Sequence, residues 1–520
     1  MEERPASDEK SPKADPEDLR RATRLLEAVV EDRRLLAALS EDEAIRLKAA
    51  AGRLSRPDRL EQMKTSKRAR TARKRRLVEV DRAARGESRI RKVRSESVFR
   101  APGRVAGDER PPYRKLNMPR DCYVCHSSFD KLHFFYDSMC PECAEFNYDK
   151  RFQTASLEGW TALITGGRLK IGRQAALMML RAGARVVVTT RFPHDAAVRY
   201  AGEDDYDAWS DRLHVHGLDL RHAPSVEIFA RYLDATLGRL DIIINNAAQT
   251  VRRPPGFYAH LLDREAQAAV ELGGKAAKLL EAREACRAAL GGVPALPGAK
   301  DVSSGKGLLA WQAGLTGIGI RAAAHLSQIP YSYDDAALGA DVFPAGRLDA
   351  DLQQVDKRTH NTWRMALGEV PTPELVETML INAVAPFILN GKLKPLMLRN
   401  PTGAQHIVNV SAMEGSFSRK TKTDKHPHTN MAKAALNMMT LTSAPDYFKD
   451  GIHMNAVDTG WVTDEDPMRD SLRKRDEHDF EPPLDIVDGA ARVCDPFFHG
   501  RLTGEHLWGK FLKDYRPTGW

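Results

Sequence analysis

The chain has 520 residues, 42% of them hydrophobic and 29% charged, with a formal charge of +8. That length calls for about two to four folding units, and the composition is that of a soluble globular protein rather than a disordered or fibrous one. No apolar run of about 18 residues is available to cross a bilayer and the polar N-terminus has no secretory stretch, so no membrane and a cytoplasmic location are expected.

The first element is a helix to about residue 38, opened by Asp15-Pro16 and carried by Leu19, Leu26, Val30 and Leu36 at near-helical spacing. Ser40 and Glu43 fit a capping box that starts a second short helix. A third begins near Pro57 and runs into KTSKRARTARKRR (Lys64–Arg76), basic on every face and expected to be helical only in part. Residues 61–100 hold fifteen Lys/Arg against five Asp/Glu, so the remaining residues are slightly acidic in sum. Three readings of this segment stand together: a solvated arm, a nucleic-acid phosphate contact without base specificity, or a dock for an acidic protein. Residues 101–120, rich in Pro, Gly and charge, read as a linker or a surface-wrapping segment.

Two CxxC pairs follow, Cys122 with Cys125 and Cys140 with Cys143, separated by fourteen residues. Four thiolates at this spacing close a tetrahedron around zinc and leave no open position, which makes the expected ion structural. The aromatic segment between the pairs would pad a small core dependent on that ion. Four free or redox-active cysteines are the alternative. His126 and His133 lie close by and could substitute as ligands. Cys286 and Cys494 are single in sequence and read as core residues.

From Trp160 the pattern changes to TALITGGRLKIGRQAALMMLRAGARVVVTTR, which parses as strand (Trp160–Ile164), glycine turn, helix (Ile171–Ala182) and second strand (Arg185–Thr190). Gly166 lets the chain turn, Gly172 permits close approach, and the helix N-terminus faces a pyrophosphate. This segment resembles the short-chain dehydrogenase/reductase superfamily, in which the loop reads TGxxxGxG. Here Lys170 takes the middle glycine's place, as in the TGxxx[RK]xG loop of the pteridine-reductase branch, where a basic residue accompanies NADPH. The second strand ends on Thr189, Thr190 and Arg191 instead of the acid that NAD-specific sites use, so NADP(H) is the expected cofactor.

The resemblance continues through Asp219-Leu220, LDIIINNAAQT, INAVAPF, QHIVNVSAMEG, NMAKAALNMMT and NAVDTGWVT. It covers about two thirds of the chain and implies an α/β fold: a doubly wound parallel sheet of Rossmann type. The residues it implies at the cofactor are Thr165, Gly166, Gly167, Arg168, Lys170, Ile171, Gly172, Arg191, Asp219, Leu220, Asn245, Asn246, Ala247, Lys433 and Gly460. It also implies a small-molecule substrate and a homo-oligomer.

The family's catalytic set is incomplete here. Lys433 is present and Asn382 holds the place of the family's helix asparagine, but Thr429 stands where the acid/base tyrosine belongs and Ala412 where the serine belongs. A threonine hydroxyl is too weak an acid for the tyrosine's task. Ser411, one step along the strand, points to the opposite face. Three accounts are open: another acid, with His426, His428 or Ser411 as candidates; hydride positioning with protonation by water; or a site without turnover that binds NADP(H) as a sensor or scaffold. The 136 positions from Asn246 to Asn382 are several times the family's usual spacing, so an insertion of roughly 100 residues (about 254–355) is expected over the active site as a lid, or else at an oligomer contact. The chain is thus read as a helical basic region (1–115), a zinc ribbon (116–150) and a Rossmann domain with its insertion (151–520).

Overall fold

The computed structural model describes residues 15–56, 59–290, 317–330, 335 and 339–520. They form two units, Met1–Glu79 and Val80–Trp520.

In the first unit, α1 (Pro16–Glu31) is capped by the Asp15 carboxylate, which accepts the Glu17 N–H at 3.1 Å. It stops short of residue 38 because Asp32 accepts the Arg34 N–H at 3.0 Å and turns the chain into a separate 3-10 segment, Arg33–Ala38. The Ser40–Glu43 box forms as expected and opens α2 (Glu41–Ser55). Pro57 lies outside the described residues. The basic run is helical throughout, within α3 (Arg59–Gly86), where partial helix was expected. Arg, Lys and Ala are strong helix formers, and no Gly or Pro interrupts them before Gly86.

In the second unit, the end of α3 and α4 (Arg89–Ser95) precede a hairpin of β1 (Arg114–Asp121) and β2 (Ser128–Leu132), then α5 (Pro141–Arg151). The last seven of the twenty residues expected as a linker, 114–120, are thus strand. The hairpin and α5 do not form an isolated miniature core. Phe129, Phe135, Tyr136 and Tyr148 pack in one cluster with Val462, Leu484, Ile486 and Val487. Arg151 is fully buried and donates to Asp485 at 2.6 and 2.8 Å and to Asp488 at 2.9 Å.

The remaining strands are β3 (Thr161–Thr165), β4 (Arg185–Thr190), β5 (Leu213–Gly217), β6 (Ile242–Asn245), β7 (Gln405–Ser411), β8 (Ile452–Asp458), β9 (Phe511–Lys513) and β10 (Arg516–Thr518). They build one sheet in the order β10-β9-β8-β7-β6-β3-β4-β5, parallel except for β10. Runs such as Val186–Val188 and Ile242–Ile244 are buried because helices cover both faces. One face carries α6 (Lys170–Arg181), α7 (Pro193–Ala201) and, from late in the chain, residues 486–503; the other carries α8 (Ala223–Thr236) and residues 385–397 and 427–449. The strand order reverses between β3 and β6, where the ends of two adjacent strands leave a crevice.

The described part of the insertion is divided. α9 (Pro255–Ala266) stands at the crevice, but α10 (Gly274–Ala289) packs on β5 and α7 at the sheet edge, so the added mass is only partly over the site. Of the apolar stretch Gly307–Leu326 within the insertion, residues 307–316 lie outside the described residues, and Ile318–Leu326 is largely buried beside α8, with Gly319 against Ser225. Residues 331–334 and 336–338 of the insertion also lie outside. Cys286 and Cys494 are core residues, as expected.

Helical residues Thr372–Met397 are, by length and composition, apolar enough to cross a membrane, although the sequence was read as having no such segment. They comprise α11 (Thr372–Met379), a π-turn at Leu380–Val384 and α12 (Ala385–Met397). The sheet and α8 account for this apolarity, since Leu389, Leu393, Leu396 and Met397 are fully buried. The helices that close the fold are α13 (Pro427–Lys449), α14 (Met468–His478) and α15 (Ile486–Thr503).

Candidate cofactor and active site

The crevice has a volume of about 350 Å³ and begins at the turn between β3 and α6. Gly166 adopts φ +70°, and a Cβ there would stand 2.9 Å from the Ala247 Cα. At Gly172 a Cβ would meet Asn246 Nδ2 and the Gly166 carbonyl, both at 2.4 Å, so the first turn of α6 lies directly on the β6 loop. Lys170 has φ +51°. It thus keeps the left-handed backbone that a glycine would adopt without strain, at a cost of about 1–2 kcal/mol for a side-chain-bearing residue. The glycine turn, the α6 N-terminus and the open volume beside them fit a dinucleotide pyrophosphate.

Among the residues expected at the cofactor, Gly166, Arg168, Lys170, Ile171, Gly172, Arg191, Leu220, Asn246 and Ala247 line the crevice. Thr165, Gly167, Asp219, Asn245, Lys433 and Gly460 do not. Thr165 accepts the N–H groups of Asn246 and Ala247 at 3.1 and 3.0 Å and joins the two loops. Asp219 is fully buried and held by Arg221. Asn245 donates to Asn390 and Asn409 beneath the crevice, each at 2.8 Å.

The basic residues differ in their engagement. Arg168 is paired with Asp195 at 2.7 Å and lies over the Phe192 ring. Arg191 donates to the Tyr258 hydroxyl at 2.7 Å and lies over that ring. Lys170 Nζ is 4.0 Å from Asp351, a residue of the insertion.

The expected catalytic residues are dispersed. Asn382, in the π-turn, accepts the Gln249 N–H at 2.7 Å and donates to the Gln249 carbonyl at 3.0 Å, which fixes the crevice wall. Lys433 is buried, and its Nζ donates to the Val410 carbonyl at 2.7 Å. Burial pulls its pKa down to about 8 against the opposing fields of Glu414 and Asp458. Ser411 is buried and donates to Asn437 at 2.6 Å. His426 stacks on Trp363 at 3.9 Å, and His428 is buried, its pKa pushed down to about 4 by desolvation. None of Ser411, His426, His428 and Lys433 lines the crevice.

Several residues that the sequence did not single out do line it: Gln249, Thr250, Arg253, Phe257, Tyr258, Gln353 and Glu465. Glu465 accepts the Thr463 hydroxyl at 2.8 Å. Burial disfavours its charge, but Lys170 and Arg253 outweigh that and hold its carboxyl below the ordinary range. It falls two residues beyond NAVDTGWVT, so the motif pointed toward it; the insertion residues carried no such signal. Asp458, at the end of β8, is buried and has its pKa pushed up to about 6 by desolvation, with Lys513 opposing and Glu414 and Asp514 reinforcing the shift.

The ligand atoms of Cys122, Cys125, Cys140 and Cys143 lie within 4.8 Å of one another. Cys125 and Cys140 Sγ are 3.7 Å apart. That matches the edge of about 3.8 Å set by tetrahedral Zn–S bonds of about 2.3 Å. His133 is buried and accepts the Phe135 and Tyr136 N–H groups at Nδ1, and neither it nor His126 joins the cluster. Between the first two cysteines, Tyr123 presents its hydroxyl to the Trp461 N–H at 2.9 Å, beside the crevice residue Val462.

Residues 160–277 match the family described as short chain dehydrogenase, and residues 348–479 match the family described as enoyl-(acyl carrier protein) reductase. An uncharacterized protein of Acanthamoeba polyphaga mimivirus is 29% identical over 425 residues, 79% of this chain and 78% of its own. A probable oxidoreductase of Streptomyces lividans is 36% identical over 91 residues, and dehydrogenase/reductase SDR family member 13 of Bos taurus is 37% identical over 93. These two matches span 18% of this chain and only 29% and 24% of the relatives. A short-chain dehydrogenase/reductase structure from Burkholderia multivorans with bound NADP is 17% identical, covering 69% of this chain and 99% of its own at a TM-score of 0.39.

Proposed function

Because the chain belongs to the short-chain dehydrogenase/reductase superfamily, we propose that it is an NADP(H)-dependent oxidoreductase acting on a small-molecule substrate. The observation that carries this reading is the crevice at the strand-order reversal, closed below by the glycine turn and bordered at β4 by Arg191 in place of an acid. When bound, NADP(H) supplies the hydride. Gly166, Gly172 and the α6 N-terminus receive the pyrophosphate, Lys170 adds charge there, and Arg191, whose partner is a neutral hydroxyl, turns to the 2′-phosphate. Arg168 acts indirectly, since it is buried and held in an ion-pair network on Asp195 that Arg199 and Arg264 share. Asn382 positions the Gln249 wall, and Lys433 supports the floor through the Val410 carbonyl.

With Thr429 and Ala412 in the tyrosine and serine places, and His426 held against Trp363, protonation by water suits the crevice better than a side-chain acid. The four cysteines would hold a structural zinc ion, which would brace the turn that carries Tyr123 to the Trp461 N–H. The exposed apolar residues Val376, Val384 and Phe387 on one helical stretch and Met431, Met438 and Leu441 on α13 support a homo-oligomer. The exposed cations of α3 support contact with nucleic acid or an acidic protein, and a cytoplasmic location goes with both.

The test is NADPH oxidation by the zinc-loaded protein across carbonyl, enone, quinone and pterin substrates, beside Lys433→Met, with NADPH binding measured separately. Turnover that is lost in the variant supports the oxidoreductase. Tight binding with no turnover across the panel favours the second reading, an NADP(H)-binding sensor or scaffold, for which the missing tyrosine and serine are the supporting observation.

A further inference from the structure

Three histidines that neither the crevice nor the cysteine cluster uses meet at the opposite end of the sheet. His406 and His453 are the second residues of β7 and β8 and are register partners, so parallel pairing puts both rings side by side at the N-terminal edge. His506 enters from the turn after α15. The ring centroids are 5.3 Å (His406–His453), 5.1 Å (His406–His506) and 4.8 Å (His453–His506) apart. One nitrogen from each ring lies within 4.8 Å of the other two.

We propose that His406, His453 and His506 form a second metal site, independent of the cysteine cluster and of the oxidoreductase reading, which takes a borderline divalent cation of the zinc type. Imidazole nitrogens are suitable donors for such ions, and three protein ligands leave a fourth position for water. The geometry favours coordination over simple stacking in three respects. His406 Nε2 and His506 Nδ1 face each other at 2.8 Å, so the two rings share one proton along that line or share a cation. Nitrogens around tetrahedral zinc stand about 3.3 Å apart for Zn–N bonds of about 2.0–2.1 Å, so this pair needs only a small opening. His453 Nδ1 lies 3.3 Å from the Gln405 carbonyl, and donation there leaves the Nε2 lone pair free, the orienting contact that metal-bound imidazoles usually make.

The surroundings agree. His406 and His453 are buried beside the Phe497 and Phe448 rings, and His506 is half-buried, which leaves a route for the ion. Gly500 makes the approach of His506 possible, since a Cβ there would fall 2.3 Å from its Nδ1. Arg501, a fixed cation whose field reaches His506, lies over the Trp160 ring. The ion would tie β7 and β8 to the segment between α15 and β9, a staple on the half of the sheet farthest from β5.

The test is metal stoichiometry of the full chain after loading with Zn²⁺ and exhaustive dialysis, together with a Co²⁺ titration read by absorption. Two equivalents per chain are expected in the wild type. The cysteine site should show thiolate-to-cobalt charge transfer in the near ultraviolet, and the second equivalent only weak visible bands. His506→Gln, at the most accessible ligand, should lose the second equivalent and keep the first. A wild type that saturates at one equivalent with the thiolate signature overturns the proposal whether or not the variant folds, as does a folded His506→Gln protein that still binds two.

Discussion

Arg168 and Arg191 both bring a guanidinium to the crevice, and their partners separate them. Arg168 shares Asp195 with Arg199 and Arg264, whereas Arg191 donates to the neutral Tyr258 hydroxyl and lies over the Tyr258 and Phe192 rings. A hydrogen bond to a charged group contributes about 1.5–3 kcal/mol, so Arg191→Ala should lower NADPH affinity by about 10- to 100-fold while changing NADH affinity little. Fluorescence titration with both nucleotides checks this, and equal losses for the two would remove Arg191 from the 2′-phosphate. Asp458 supplies a pH prediction. Its folded pKa of about 6 is above the ordinary carboxyl value, so its contribution to stability is full below the unfolded pKa near 3.8 and is lost as pH rises through 6. Asp458→Asn should therefore be more stable than the wild type at pH 8, by on the order of 2–3 kcal/mol, with the gap closing toward pH 4. Thermal melts across that range decide it; a gap that does not vary with pH would contradict the assignment. Gly166, Gly172 and the four cysteines were legible because only those residue types satisfy a tight approach or a soft cation. Glu465 and Tyr258 were not, because their place beside Lys170 and Arg191 follows from loops whose paths no local pattern specifies.

At the scale of elements, the cysteine hairpin and the crevice are one mechanical system. Tyr123 reaches the Trp461 backbone, and Ile171, Val462 and Ile486 belong both to the crevice lining and to the aromatic cluster around the hairpin. Removing one ordinary hydrogen bond costs about 1 kcal/mol, so Tyr123→Phe should weaken NADPH binding about fivefold. Zinc content should be unchanged, which separates this effect from damage to the metal site. The first turn of α6 is less forgiving. In Gly172→Ala the new methyl meets the Gly166 carbonyl, and the helix must move off the β6 loop. Overpacking of this kind costs about 1–3 kcal/mol. NADPH affinity should fall at least about tenfold, and the melting temperature should drop with it. The strands and α6 were visible as period and turn chemistry, while the π-turn at Asn382 was not, because its two bonds to Gln249 join residues far apart in sequence.

For the whole molecule, the charge and the cofactor platform are separable. The unit Val80–Trp520 contains the complete sheet, both apolar layers and the cysteine cluster. Residues 80–520 alone should therefore fold cooperatively and bind NADPH as the full chain does. Any binding of polyanions by the full chain, with its steep salt dependence, should be lost in the truncated form, as filter binding at two ionic strengths would show. Retained polyanion binding would place that contact outside α3. The sequence by itself determined the strand, glycine turn and helix that open the sheet domain, the spacing of the four cysteines and the position of the basic run, since each follows from local periodicity, backbone freedom or ligand chemistry within a few dozen residues; the doubly wound sheet was implied by the family resemblance. Only the tertiary structure decided how the charges at the crevice are partnered, that the hairpin shares its core with the sheet domain, and that α10 of the insertion packs at the β5 edge. Those outcomes depend on pairings across hundreds of residues, Arg151 with Asp485 and Tyr123 with Trp461 among them, where the gain from burial and hydrogen bonding is set by neighbours that sequence order does not reveal.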